Sequence, residues 1–222
     1  MEIINNAGPA PAPAVADCYG LGWETLKKYF PELLLLLFIE LLLSVPAGLT
    51  SWVFSPFYPG TVATGILTFL WWVAVLMPVG FGTSWVFLKA VRKEAFRVQD
   101  IFFAYQQFWN VLLANLLMGL VIGLGFVLLI VPGIIFACKL AFVPYLVMDR
   151  RMDAVEAVRT SWQMTSGHAG TIFLMGVTAV FVVIAGLIVF LVGVIPAGIW
   201  VSLAFAAMYH AVDSRQPAPP SV

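Results

Sequence analysis

Two side chains stand out because ionisable groups are costly in apolar surroundings: Glu40 within "LLLLLFIELLLS" and Lys139 within "IIFACKLAF". A carboxylate and an ammonium so placed could form an ion pair, relay a proton or an ion, or snorkel separately toward the nearest polar edge. Counting back to Glu32 and Asp149 at about 1.5 Å per helical residue puts them about 12 Å and about 15 Å from the charged edge. The depths match. The expectation is therefore an intramembrane ion pair, Glu40 with Lys139, between the first and fourth apolar segments. A lone charge facing lipid would cost about 2.5–3.5 kcal/mol. Whether such a pair pins the structure or serves transport is open at this stage.

Other polar residues promise less chemistry. Asn110 and Asn115 fall in the third apolar segment with "GLVIG", Gly119 to Gly123, a small-xxx-small spacing that predicts close helix packing. His168 and His210 lie near the charged edge, where a hydrogen-bonded neutral imidazole is ordinary. The chain has two cysteines. Cys18 is expected near one edge and Cys138 within a span, too far apart for a disulfide. Metal-ligand spacing of the HExxH or CxxC kind is lacking, as are a nucleophile elbow, a phosphate loop and a dinucleotide fingerprint, so the expectation is no enzyme, no cofactor and no metal. The cations are interleaved with acids in no continuous basic groove, and no nucleic acid is expected as a partner.

The elements that must carry these residues follow from composition. At 62% hydrophobic and 10% charged residues, with mean hydropathy +1.01, the chain lies far outside the soluble range. Apolar runs long enough to cross a bilayer lie at 32–54, 62–91, 109–131, 133–148, 168–194 and 196–213. The reading is an all-α polytopic membrane protein with six transmembrane helices, since lipid-exposed backbone must satisfy its own hydrogen bonds and the alternating pattern of a barrel is missing. Pro78 predicts a kink in the long second span. Lys27, Lys28, Lys89, Arg92, Lys93, Arg97, Arg150, Arg151, Arg159 and Arg215 all fall on one side, which the positive-inside rule makes cytoplasmic, both termini included. The loop Ser55 to Thr61 and the turns at Pro132 and Pro196 then face outward. Residues 1–19 and 214–222 read as Ala/Pro-rich tails around a single membrane domain, 20–213.

Internal similarity organises that domain. Aligning Pro132 with Pro196 also aligns Ile135 with Ile199, Phe136 with Trp200, Tyr145 with Tyr209 and Asp149 with Asp213, and a weaker third copy starts at Pro78. Each span pair follows a short amphipathic segment: Trp23, Leu26 and Phe30 share one face, as do Ile101, Tyr105 and Phe108, and Val155, Val158 and Trp162. These read as interfacial helices on the cytoplasmic side, the third opened by an Asp153–Glu156 capping box and ending near Gly167. Three tandem hairpins, each preceded by such a helix, are the predicted architecture, with Pro132-Gly133 as a tight outer turn.

Gly22-Trp23, "IVPGII" at 130–135, Asp149, and "EAVRTSW" at 156–162 followed by Gly167 resemble a group of bacterial six-helix membrane proteins. The group includes the membrane domain preceding the catalytic domain of some glycerophosphodiester phosphodiesterases, and stand-alone relatives of unassigned function. The resemblance covers about residues 20–213 and implies a helical fold in the bacterial cytoplasmic (inner) membrane. It implies no phosphodiesterase activity, because 222 residues leave no room for that soluble domain.

The function expected is a non-enzymatic scaffold or accessory subunit, engaging membrane lipids or a larger membrane complex, or self-associating. Its contacts with lipid headgroups or a partner would be Trp23, Tyr29, Trp109, Arg150, Arg151 and Trp162, which aromatic-belt anchoring also accounts for. The alternative is a small transporter or lipid-handling channel using the intramembrane polar residues.

Overall fold

The computed structural model describes residues 12–54, 62–188 and 193–215. Helices α1 (Val15–Lys28) and α2 (Phe30–Phe54) come first. Next, α3 (Val62–Trp71) runs through a π-helical stretch (Trp72–Leu76) into α4 (Met77–Val91). A 3-10 segment (Val98–Gln107) enters α5 (Phe108–Leu128), followed by α6 (Ile130–Lys139), α7 (Val143–Asp149), α8 (Ala154–Thr165), α9 (Ala169–Ile188) and α10 (Val194–Asp213). No strand occurs among the described residues. Among the described residues, six segments are long and apolar enough to cross a membrane: Phe30–Gly48, Gly65–Val91, Val98–Leu128, Ile130–Asp149, Ala169–Ile188 and Val194–Asp213. They coincide with the six runs read from the sequence. The predicted loop Ser55 to Thr61 lies outside the described residues.

The second span changes its winding where Pro78 demanded it. Proline lacks the N–H that would bond the carbonyl one turn back, and the π-turn ahead of it, with the Met77 N–H donating to the Trp72 carbonyl, absorbs the mismatch.

The fourth span is not the continuous helix predicted at 133–148. It breaks at Leu140–Phe142, because Pro144, in the first turn of α7, has no N–H for the Leu140 carbonyl and its ring crowds that group. Broken ends inside an apolar layer need partners. Here the Lys139 carbonyl accepts a hydrogen bond from the fully buried Ser161 hydroxyl of α8 at 2.8 Å, with the Thr165 hydroxyl 3.2 Å away.

Several local expectations are corrected. The chain reverses between α5 and α6 at Leu129, in extended conformation (φ −170°), and not at Pro132-Gly133, which fall inside α6. Gly133 instead lets α6 approach α5: a Cβ there would stand 2.6 Å from the Phe126 ring, and one on Gly125 would stand 2.8 Å from Gly133 Cα. Gly119 and Gly123, expected at a close helix contact, meet nothing within 4 Å, because their face of α5 points outward. Residues 15–19, read as tail, belong to α1: Cys18 and Tyr19 are buried, the Tyr19 hydroxyl donates to the Met175 carbonyl at 3.0 Å, and Trp200 Nε1 donates to the Tyr19 carbonyl at 2.8 Å.

The amphipathic helices face the protein differently from the predicted stripes. In α1, Leu26 is buried but Trp23 points outward, as does Phe30 at the start of α2, while Gly22 lies against α10: a Cβ there would stand 3.1 Å from the Ala204 nitrogen. In α8 the inward face is Ala154, Ala157, Ser161, Met164 and Thr165, which turns the two hydroxyls toward the broken span, while Val155 and Trp162 are exposed. The Asp153–Glu156 capping box does not form. Asp153 stands at the N-cap without a side-chain bond, and the Ala154 N–H goes to Asn110 instead.

Candidate functional site

The end of the molecule that carries the cations is built around Arg92. It caps α4, its N–H donating to the Leu88 carbonyl, and its guanidinium reaches Asp149 at the end of α7 through two bonds of 2.7 Å. The same guanidinium donates to Asp213 at the end of α10 at 3.1 Å, and Arg150 donates to the other oxygen of Asp213. The Tyr209 hydroxyl donates to Asp149 at 3.0 Å, Arg92 lies 5.9 Å from the Tyr209 ring, and Tyr209 stacks on Tyr145 at 5.1 Å. The aspartates and the tyrosines paired by the internal alignment thus meet at one place.

Arg92, Asp149 and Asp213 keep only 13–17% of their side-chain surface exposed, so their charges are largely removed from water. Burial alone would lower the arginine pKa. The Asp149 hydrogen bond together with the charges of Asp149 and Asp213 outweighs it and holds the guanidinium above its ordinary value. A bidentate fork on one carboxylate with a second carboxylate beside it suits arginine and would not suit lysine. Chemically this is a clasp joining the ends of three helices.

Asn110 is a second clasp and not the packing residue predicted. Its amide donates to the Met152 carbonyl at 2.6 Å and accepts the Ala154 N–H at 2.7 Å, tying the α7–α8 link to the start of α5 and capping α8. Asn115 lines an open groove between α3 and α5 with Phe69, Trp72 and Gly119.

The predicted ion pair is not formed. Lys139 donates to the Ser166 hydroxyl at 2.8 Å and lies 5.6 Å from the Trp162 ring, because the end of α6 faces α8 and not α2. Glu40 turns into a separate cleft of about 370 Å³. Its walls are Gly80, Thr83, Ser84 and Phe87 of α4, Ala141, Pro144 and Tyr145 at the break in the fourth span, and Val201, Ser202 and Phe205 of α10. Among the described residues no ion pair or hydrogen bond reaches the Glu40 carboxylate. The Thr83, Ser84 and Ser202 hydroxyls donate to Val79, Gly80 and Gly198, one turn back on their own helices.

The remaining predicted contacts divide in two. Arg150 pairs with Asp213, and Tyr29 packs edge-on against Phe96 at 5.2 Å. Trp109 is 74% exposed, Trp23 and Trp162 are partly exposed, and Arg151 is exposed with its guanidinium 5.1 Å from the Phe103 ring. Cys18 and Cys138 are free thiols.

Sequence reasoning used Arg92, Asp149 and Asp213 only to orient the chain. The alignment of Asp149 with Asp213 was the signal that they share a place, while nothing in the spacing marked Arg92 as their common partner. The cleft residues Thr83, Ser84 and Ser202 carried no signal.

These features define a class, a multi-pass membrane protein with six apolar helices. No protein-family model, curated protein or solved structure matches the chain.

Proposed function

We propose that the chain is a non-enzymatic integral membrane protein, a scaffold or accessory subunit that engages lipid headgroups or a larger membrane complex through its charged end. In this reading it sits in a bacterial cytoplasmic membrane as three tandem hairpins with both termini inside. The division of labour at the charged end carries it. Arg92, Asp149, Asp213 and Arg150 satisfy one another in holding helix ends together. Trp23 beside Lys27, and the exposed Trp109, Trp162 and Arg151, are left at the periphery, an arrangement suited to anionic headgroups or a partner's surface. Native mass spectrometry of the full chain from gently solubilised membrane tests it: retained anionic phospholipid or a partner in fixed ratio is expected. A bare chain that also ignores anionic vesicles refutes it. Labelling of cysteines introduced beside Arg151 from outside intact cells would overturn the orientation.

A second reading, a small transporter, has one observation behind it: the break in the fourth span opens on the cleft that holds Glu40, and interrupted helices commonly frame midplane sites in transporters. Uptake into proteoliposomes is its test.

A further inference from the structure

We infer that the Glu40 cleft is a binding site for a small organic ammonium cation. The inference goes beyond the scaffold reading, and it needs no transport; it rests on the balance of groups in the cleft. Glu40 lies near the middle of the Phe30–Gly48 segment, about 15 Å from its start. At that depth a carboxylate with no counter-charge is unfavourable, and such groups are found with partners or facing a functional cavity. Its sequence-predicted partner, Lys139, is engaged elsewhere.

The polar lining sets the sign of the ligand. Each hydroxyl has one proton, and those of Thr83, Ser84 and Ser202 are already donated to backbone carbonyls. Toward the cleft these oxygens have lone pairs to give. With the Glu40 carboxylate they outnumber the lining's one hydroxyl whose proton is not so donated, that of Tyr145, so the balance suits a hydrogen-bond-donating cation and not an anion.

The apolar lining sets the ligand's class. Phe87, Tyr145 and Phe205 supply aromatic rings and Pro144, Ala141 and Val201 supply aliphatic wall. Aromatic faces beside a carboxylate favour an ammonium carried on a hydrocarbon body. A volume of about 370 Å³ suits a small organic molecule and greatly exceeds what a dehydrated metal ion fills. No cluster of three His, Cys, Asp or Glu that could hold a metal exists among the described residues.

The test is calorimetric titration of the full chain, purified in a non-ionic detergent, with benzylammonium chloride, with benzyl alcohol as the neutral isostere and sodium chloride at matched ionic strength. Saturable binding of benzylammonium, at least tenfold tighter than benzyl alcohol, is expected, with no heat of binding from sodium chloride. Glu40→Gln should weaken benzylammonium at least tenfold and leave benzyl alcohol unchanged. Ser202→Phe, which fills the cleft from the opposite wall, should abolish both and stands in should Glu40→Gln fail to fold. No saturable binding to the wild-type chain, equal binding to Glu40→Gln or Ser202→Phe, or a sodium response matching that of benzylammonium would overturn the assignment.

Discussion

The Arg92 clasp and the Glu40 cleft use the same kinds of side chain to opposite ends. In the clasp, a guanidinium stands between two carboxylates, a second arginine completes the set, and even the neighbouring tyrosine hydroxyl is committed. Glu40 faces a cleft whose Thr83, Ser84 and Ser202 hydroxyls donate to carbonyls of their own helices. Balanced charges at low exposure make a joint, since their attraction offsets desolvation only when every partner is present. An unbalanced one makes a vacancy for a ligand. Removing a partner should therefore be ruinous in the first region and tolerated in the second.

The sharpest way to break this comparison is a paired substitution. Arg92→Ala leaves Asp149 without a cation and Asp213 with Arg150 alone, and should cost about 3–5 kcal/mol, read as lost folded yield or a lowered thermal midpoint in detergent. Arg92→Lys should recover only part of this, because an ammonium cannot make the fork. Glu40→Gln, by contrast, should leave the midpoint within the range of an ordinary tolerated substitution, about 0.5 kcal/mol. Equal damage from Arg92→Ala and Glu40→Gln would mean that Glu40 is structural and that the contrast is false.

Gly82 lies on α4 between the cleft-lining Gly80 and Thr83. A Cβ there would stand 1.9 Å from the Ile101 carbonyl oxygen, so Gly82→Ala should force α4 away from the 3-10 segment and cost about 1–3 kcal/mol. Gly119→Ala, with open space around it, should be neutral or slightly stabilising in the same thermal assay. Asn110→Ala removes the cap of α8 and should cost about 1–2 kcal/mol. Its mark would be faster hydrogen exchange at Ala154 with the clasp intact, which separates the second tie from the first.

The smallest effect concerns Cys18. Burial, helped by the nearby Asp17 charge, pushes its thiol up to about 12. Little thiolate forms at pH 8, and iodoacetamide should label the folded chain at least about a hundredfold more slowly than the denatured one. Because the neutral thiol is the buried form, whatever stability it lends holds below the unfolded pKa near 9 and fades as pH rises toward about 12. Rapid labelling at pH 8 would show that α1 leaves α10 freely.

The six spans were legible in the sequence because a twenty-residue apolar run is a one-dimensional property: hydrocarbon thickness and the need to satisfy backbone groups internally decide it. The pairing of Asp149 with Asp213 was half legible, as an alignment. Its meaning was not, because a shared partner is a fact about three helix ends in space. The Glu40–Lys139 expectation failed for the same reason: equal depth is readable from residue counts, whereas the direction a helix face points is set by its packing. Gly119 and Gly123 had the spacing of a contact and Gly125 and Gly133 make one, since only the rotation of α5 against α6 selects which glycines meet.

Composition and the order of apolar and charged residues thus determined that this chain is a multi-pass membrane protein of long apolar helices. The tertiary structure alone decided that Arg92 closes the bundle, that α8 lends its hydroxyls to a broken span, and that Glu40 opens on a cleft. Transfer out of water is nearly additive along the chain and survives without coordinates. Hydrogen bonds and ion pairs depend on ångström-scale geometry between residues distant in sequence, and that geometry exists only once the helices have packed.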